Sequence, residues 1–306
     1  MESYALLLAA TLNAGTVLAI AALGLLINEK AGIVNLGAEG MMLCAAVAGF
    51  ATVVHTGSDW LGFAAGMGAG ALLAGVFGVL VIWLNTNQYA TGLALSLFGV
   101  GFSAFAGIRY VQEKLPERAS FSFPVLGDVP LLGPAIFRQH PLVYLTIAFA
   151  LGLIWFLYRT RAGLVLRSVG ESPESAHAVG IPVRGVRLAA LLFGGACAGL
   201  AGAYLATVYT PLWAENMTAG RGWIALALVV FATWRPLRVL VGAYLFGGVT
   251  MLQLYLQGIG VQAPSQLMSM APYLATIVVL ALISRNPRWI RLNMPASLGK
   301  PFNPNA

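Results

Sequence analysis

The segment GIVNLGAEGMM, residues 32–42, places a carboxamide, Asn35, and a carboxylate, Glu39, inside an otherwise apolar stretch. A charged carboxylate at the bilayer centre costs on the order of 3 kcal/mol, so it is expected near an interface or facing a wet cavity. The three glycines of this stretch favour a break in the helix, and an amide can satisfy the backbone that a break exposes. Three alternatives stay open: the pair holds a discontinuous helix, lines a solute path and binds hydroxyls or base edges, or lies in a surface loop.

The composition explains why these groups are unusual. The chain has 306 residues, of which 59% are hydrophobic and 9% are charged, whereas about a quarter of the residues of a soluble domain are charged. Ten acids and seventeen bases are gathered into short islands, and many of the stretches between them reach the roughly 20 residues that a helix needs to cross a bilayer. The sequence therefore predicts an all-α, polytopic membrane protein.

We predict about nine transmembrane helices, within a range of eight to ten. Small residues spaced four apart, as in Gly66 and Gly70 or Gly195 and Gly199, predict close contacts between helices. An odd number of crossings separates the first four spans from the last four, which suits two inverted four-helix halves. The predicted spans are residues 5–27, 38–54, 60–84, 90–108, 141–158, 188–209, 222–234, 238–257 and 270–284.

These spans form a single transmembrane domain over residues 1–306. Arg and Lys collect in cytoplasmic loops, and the basic islands place the loop 159–187 and the carboxyl terminus in the cytoplasm and the amino terminus outside. Seven bases flank spans in this way, so topology explains the net charge of +7 better than nucleic-acid binding does. The parts are a first half 5–108, an external loop 109–140, a span 141–158, the cytoplasmic loop 159–187, a second half 188–284 and a tail 285–306.

The loop 159–187 contains the signals of a short helix. Ser172 is a suitable N-cap, Pro173 suits the first helical position, Glu174 favours the positive end of the helix dipole, and Gly180 can end the turn. We predict a helix over residues 173–179. Because an isolated helix of about two turns is unstable in water, it needs a surface, which is either its own protein and the headgroups or a cytoplasmic partner.

The two motifs INEKAGIVNLGAEGMM and RTRAGLVLRSVGESPESAHAVGI resemble the permease subunits of ABC importers of the branched-chain amino acid, ribose and nucleoside permease superfamily. The resemblance covers residues 12–285 and is closest to nucleoside, or "simple sugar", permeases that work with basic-membrane-protein type binding lipoproteins. It implies a multi-pass protein of the bacterial inner membrane whose short loop helix couples to an ATPase. The residues that match this coupling element are Glu171, Ser172, Pro173, Glu174, Ser175, Ala176, His177, Ala178 and Gly180.

The resemblance also implies the partners. They are an ATP-binding subunit, expected to be double-length, a second permease that is identical or homologous, an external substrate-binding lipoprotein and a small solute. No GxxxxGK[ST] phosphate loop occurs in the chain, so ATP and Mg are expected in the partner ATPase and no cofactor or metal in this chain. Motifs such as HExxH and GxSxG are absent from the sequence, so we predict that the chain is not an enzyme.

A nucleoside offers ribose hydroxyls and a flat base, so its path should combine hydrogen-bonding groups with aromatic faces. Two other functions stay open. One is an ion-coupled secondary transporter that would use Glu39 and Glu215 as coupling carboxylates, and the other is an ABC permease for sugars or branched-chain amino acids. The candidate path residues are Asn13, Asn35, Glu39, Gln88, Tyr89, Tyr209, Trp213, Asn216 and Gln253.

Overall fold

The computed structural model describes residues 2–115, 121–122, 133–259 and 293–303, together with isolated positions between 270 and 281. Residues 116–120 and 123–132 of the predicted external loop, and most of the ninth predicted span, lie outside the described residues. Ten α-helices occur in the described part of the chain: α1 Glu2–Lys30, α2 Ala38–Thr56, α3 Asp59–Gly78, α4 Gln88–Gly107, α5 Pro141–Arg159, α6 Arg161–Glu171, α7 Pro173–Ala178, α8 Val183–Tyr204, α9 Arg221–Phe231 and α10 Pro236–Gly258.

Short irregular elements extend several of these helices. A π-helical turn, Val79–Trp83, continues α3, another, Leu205–Tyr209, continues α8, and a 3-10 turn, Ile108–Tyr110, continues α4. A further π-helical turn, Gly133–Phe137, lies between two strands, β1 Phe121–Ser122 and β2 Arg138–Gln139, which form an antiparallel pair with Phe121 opposite Gln139. Helices thus dominate the described residues.

Among the described residues, seven helices are long and apolar enough to cross a membrane, which confirms an all-α multi-pass protein. They are α1, α2, α3 with its π-turn, α4 with its 3-10 turn, α5, α8 with its π-turn, and α10. Of the predicted spans, 222–234 corresponds to α9, which has only 11 residues. At 1.5 Å per residue α9 rises about 16 Å, roughly half of the ~30 Å hydrocarbon layer.

Glycines allow the central helices to pack at short range. Gly70 of α3 faces Gly195 and Gly199 of α8 so closely that an added Cβ on Gly70 would overlap the Gly195 carbonyl oxygen. At the crossing of α1 and α10, a Cβ on Gly247 would lie 2.6 Å from the Gly15 nitrogen. The close contacts predicted from the small residues of α3 and α8 are therefore present, and they hold the backbones together where lipid offers no hydrophobic driving force.

Bases mark one end of the helix bundle, which we call the basic end. Lys30 ends α1, Arg159 ends α5, and Arg187 lies in the first turns of α8. Contacts bring these helix ends together, since Arg187 Nε donates to the Ala31 carbonyl oxygen at 3.2 Å and Trp234 Nε1 donates to Glu29 Oε2 at 2.5 Å. The basic end therefore gathers the chain segments next to α1, α8 and α10.

Candidate functional site

The chain leaves helical geometry between α1 and α2, over residues 31–37, which we call the break. Asn35 Oδ1 accepts from the Gly37 backbone N–H at 3.0 Å, and Gln88 Oε1 of α4 accepts from the Val34 N–H at 2.9 Å. Ser96 Oγ, also of α4, donates to the Leu36 carbonyl oxygen at 2.7 Å. Buried polar backbone needs such partners, and here three side chains supply them.

Glu39 lies just after the break, in the first turn of α2, and is 4% exposed. Its Oε1 accepts from Thr218 Oγ at 2.6 Å and from the Gly220 N–H at 2.8 Å, and its Oε2 accepts from the Gly222 N–H at 2.6 Å. The donors belong to the segment that leads into α9 and to its first turn. Both carboxylate oxygens are therefore engaged by the N-terminus of another helix.

Two helix N-termini meet at this carboxylate. A Cβ added to Gly222 would lie 2.6 Å from the Glu39 nitrogen and 2.7 Å from its Cα, so the first turns of α2 and α9 touch through backbone atoms. Each helix N-terminus carries roughly half a positive charge. The negative carboxylate of Glu39 lies between them, where it neutralises both ends and supplies the acceptors that the free N–H groups of α9 need.

The loop 159–187 folds into two helices. The predicted helix 173–179 is present as α7, with Ser172 Oγ accepting from the Ser175 N–H at 3.2 Å and Gly180 at φ +85° after its end. The sequence interpretation missed α6, which begins directly after α5. Thr160 Oγ1 accepts from the Gly163 N–H at 3.0 Å and so caps α6, and this Thr-x-x-Gly spacing was the available signal.

Helix α7 is held on the protein by a narrow face. Pro173 and Ala176 are buried, whereas Glu174, Ser175 and the last two residues of the helix are exposed. Val179, just beyond the end of α7, is 76% exposed. A groove of about 280 Å³ runs beside the helix between Ser168 of α6 and Ile181. The chain thus supplies one surface for α7 and leaves the other face open.

The remaining predicted path residues make contacts in several parts of the described chain. Asn13 of α1 accepts from the Tyr204 hydroxyl at 2.6 Å and donates to Gln139 Oε1 at 2.8 Å. Tyr89 is 48% exposed and lies near Gly299, Tyr209 lies beneath the Arg221 guanidinium, and Trp213 is buried against the end of α4. Asn216 is exposed at φ +54°, and Gln253 is half-buried on α10.

The sequence interpretation also missed the partners of Glu39. Thr218 and Gly222 lie in the stretch NMTAGRG, residues 216–222, which has the pattern of NLGAEG, residues 35–40, with one residue inserted. Both stretches precede a helix whose N-terminus lies at the Glu39 carboxylate. Comparing the two stretches was the signal that could have located the second side of the site.

Fold and site together define a multi-pass membrane protein built around helices whose N-termini meet within the bundle. The chain belongs to the family described as the branched-chain amino acid transport system permease component, whose model matches residues 7–284. It is therefore the permease component of an ABC importer.

Curated relatives match almost the whole chain. A putative glucose ABC transporter permease of Haloferax volcanii is 44% identical over 99% of both chains. A nucleoside ABC transporter permease of Lactococcus lactis is 34% identical over 87% of this chain and 88% of its own length, and a guanosine ABC transporter permease of Bacillus subtilis is 33% identical over 92% of each. No solved structure matches the chain.

Proposed function

We propose that this permease carries a nucleoside across the bacterial inner membrane, driven by ATP hydrolysis in a separate subunit. The observation that supports the cargo is the similarity to permeases whose names specify a nucleoside and guanosine, over about nine tenths of the chain. A second candidate is a sugar, because the relative named as a putative glucose permease is 44% identical over 99% of the chain. Nucleosides and sugars are uncharged and share a ring that carries hydroxyl groups.

The exposed face of α7 supports the proposed connection to the ATPase. Two buried residues hold the helix, while Glu174, Ser175 and Val179 remain exposed beside a groove. A helix of six residues that is N-capped, fixed at one face and open at the other is suited to dock on a partner. We propose that Glu171 to Gly180 form the element that receives movement from the ATPase.

The contacts among the helices support two inverted halves. Helix α1 packs on α10, and α8 packs on α3. In two inverted halves, α1 of the first half would correspond to α8 of the second, and α3 to α10, so these two contacts would be equivalent. The pair α1 and α8 is antiparallel, because Asn13 contacts Tyr204 whereas Asn28 contacts Gly194. Exchanging α2 with α9 would also pair the two related sequence stretches at their N-termini. The span 270–284 and the number of nine spans, which also includes the short helix α9, remain predictions.

The basic end supports the proposed orientation. Lys30, Arg187 and the segment 293–303 lie together there with the loop 159–187, and such clusters of bases are typical of the cytoplasmic side. We therefore propose a cytoplasmic carboxyl terminus and an external amino terminus. The division into first half, external loop, connecting span, cytoplasmic loop, second half and tail follows from this orientation and keeps the boundaries predicted from the sequence.

The proposed complex contains further subunits. The family suggests an ATPase and a substrate-binding protein in general; we propose a double-length ATPase that binds ATP and Mg, a second permease and an external lipoprotein. No cofactor is proposed for this chain. The path residues Asn13, Tyr89, Tyr209, Trp213, Asn216 and Gln253 stay predictions, whereas the contacts of Asn35, Glu39 and Gln88 favour the role of holding the break.

The engaged state of Glu39 argues against ion-coupled secondary transport. A coupling carboxylate must exchange its ion or proton during each cycle, yet both Glu39 oxygens accept hydrogen bonds from the α9 end of the chain. Glu215, the second carboxylate of that alternative, is exposed in the segment before α9. Uptake by purified permease in vesicles, driven by an ion gradient without any ATPase, would contradict the ATP-driven mechanism.

A pair of matched substitutions tests the docking face. Val179→Asp adds a charge at the exposed end of α7, and Val111→Asp adds the same charge to a 56% exposed valine beyond α4. We expect Val179→Asp to abolish co-purification with the ATPase subunit and Val111→Asp to preserve it. A second variant carries a Gly-Ser segment at 174–178. If both this variant and Val179→Asp still co-purify with the ATPase, the proposed role of α7 is excluded.

Competition for uptake identifies the cargo. Cells that produce the permease with its ATPase and binding protein are supplied with labelled guanosine, and unlabelled guanosine or glucose is added in excess. We expect guanosine alone to compete. Failure to take up guanosine, together with ATP-dependent uptake of labelled glucose, would assign the sugar instead.

A further inference from the structure

The segment 293–303, which we call the tail strap, lies against three separate parts of the basic end. The Asn293 carbonyl oxygen accepts from Lys30 Nζ at 2.8 Å, at the end of α1. The Ser297 N–H donates to the Gly170 carbonyl oxygen at 3.0 Å, near the end of α6, and the Gly299 N–H donates to the Gly32 carbonyl oxygen, in the break, at 3.0 Å. The strap therefore joins the loop 159–187 to the break through backbone hydrogen bonds.

Two buried side chains fix the middle of the strap. Ser297 is 4% exposed, and its Oγ donates to the Gly170 carbonyl oxygen at 2.7 Å and accepts from Arg187 Nη2 at 3.3 Å. Arg187 is 3% exposed and also donates to the carbonyl oxygens of Ala31 and Lys300, each at 3.2 Å. Since a buried donor that loses its acceptor destabilises the fold, these contacts hold strap, break and α8 in one arrangement.

The far end of the strap reaches α7. Phe302 is 5% exposed and packs in a cluster with Val169, Ala176 and Val183. Its ring also meets the His177 ring edge to face, with centroids 5.6 Å apart and an interplanar angle of 68°. Ala176 and His177 belong to α7, so the inner side of this helix rests partly on Phe302.

We infer that the tail strap makes α7 and the break move as one body, with Phe302, Ser297 and Arg187 as positioning residues. The inference rests on the proposed docking role of α7. A shift of α7 is passed through Phe302 and the strap backbone to Gly32, and the break continues directly into α2, where Glu39 holds the N-terminus of α9. Every step is a packing contact or a hydrogen bond between described residues, which is the physical continuity that coupling requires.

Hydrogen exchange of the permease alone in lipid nanodiscs tests the inference first. Phe302→Ala removes the contact with α7, and Asn303→Ala changes the exposed residue next to it. We expect Phe302→Ala to speed amide exchange about tenfold or more both in α7 and in residues 31–37, because a buried aromatic contributes several kcal/mol. Asn303→Ala should match the wild type. Faster exchange in α7 with an unchanged break would overturn the inference.

Ser297→Ala provides a second variant should Phe302→Ala fail to fold. It removes the hydroxyl between Gly170 and Arg187 but leaves the Phe302 ring in place. We expect faster exchange at the break and in α7 again, this time originating from the middle of the strap. An effect restricted to either segment alone would contradict the proposed link.

Hydrogen exchange of the complex with the ATPase separates the role of the tail strap from the proposed docking of α7. Addition of ATP, Mg and vanadate should change exchange in α7 and in residues 31–37 of the wild type, and in α7 alone for Phe302→Ala. An equal response at the break in both proteins would overturn the role of the strap. No response in α7 of the wild type would refute docking at α7, and the result for the permease alone would then still decide whether strap, α7 and break are linked.

Discussion

Removal of the Glu39 charge and removal of its hydrogen-bonding capacity have different expected effects. Glu39→Gln keeps one carbonyl oxygen, which can accept from Thr218 and Gly220, but places an amide N–H₂ against the Gly222 donor. Glu39→Leu removes every acceptor and leaves all of these donors without their partner. We expect both variants to be less stable than the wild type and Glu39→Leu to be the less stable of the two.

The hydrogen bonds set the magnitude of this difference. A buried donor left without an acceptor costs about 1–3 kcal/mol, so Glu39→Leu is expected to lose about 3–9 kcal/mol from its three donors. Glu39→Gln orphans one donor at about 1–3 kcal/mol and loses up to about 2 kcal/mol of interaction with the helix ends. The leucine variant should therefore fall at or below the limit of folding, whereas the glutamine variant should be recovered in reduced amount.

Size-exclusion chromatography of heated, detergent-solubilised protein measures the effect as the temperature at which half of the monodisperse peak is lost. Glu215→Gln is the matched control, because Glu215 is an exposed carboxylate in the segment that precedes α9, and it should behave as the wild type. Equal losses for Glu39→Gln and Glu39→Leu, or a stable Glu39→Leu, would refute the view that Glu39 holds α2 and α9 together.

Three further substitutions test packing, a buried hydrogen bond and a helix cap. Gly70→Ala should destabilise the α3 crossing because its Cβ overlaps backbone of α8, whereas Gly68→Ala, which meets nothing within 4 Å, should be neutral or slightly stabilising in the same thermal assay. Trp234→Phe should lower thermal stability by about 1–3 kcal/mol, since Glu29 loses the indole donor, and an unchanged melting temperature would argue against this bond. Ser172→Ala should weaken α7 by about 1 kcal/mol, visible as faster amide exchange in α7; unaltered exchange there would contradict the N-cap.

The spans could be predicted from the sequence because hydrophobic length determines them. The range 141–158 corresponds to α5, Pro141–Arg159, and the range 38–54 to α2, Ala38–Thr56. Uncharged length and flanking Gly or Pro decide such boundaries locally. The same reasoning predicted α7, because its N-cap, its proline and its terminal glycine all lie within about ten residues.

Contacts between distant parts of the chain could not be predicted in this way. Glu39 was recognised as an acid inside an apolar stretch, yet its donors lie about 180 residues further along, and hydrophobic periodicity carries no information on which helix ends meet. The tail was predicted only as a basic cytoplasmic segment. Its burial at Ser297 and Phe302 depends on a groove formed by α6, α7 and the break, which exists only in the folded protein.

Where two helix N-termini converge, a protein ordinarily offers a binding site for an anion. In this permease the Glu39 carboxylate occupies that position, with both of its oxygens already bonded. A phosphate or carboxylate placed at this junction would compete with Glu39 for the donors of Thr218, Gly220 and Gly222 and would be repelled by a like charge. An acid of the chain itself thus fills the place that a bound anion takes at other helix N-termini, and its hydrogen bonds keep α2 and α9 together.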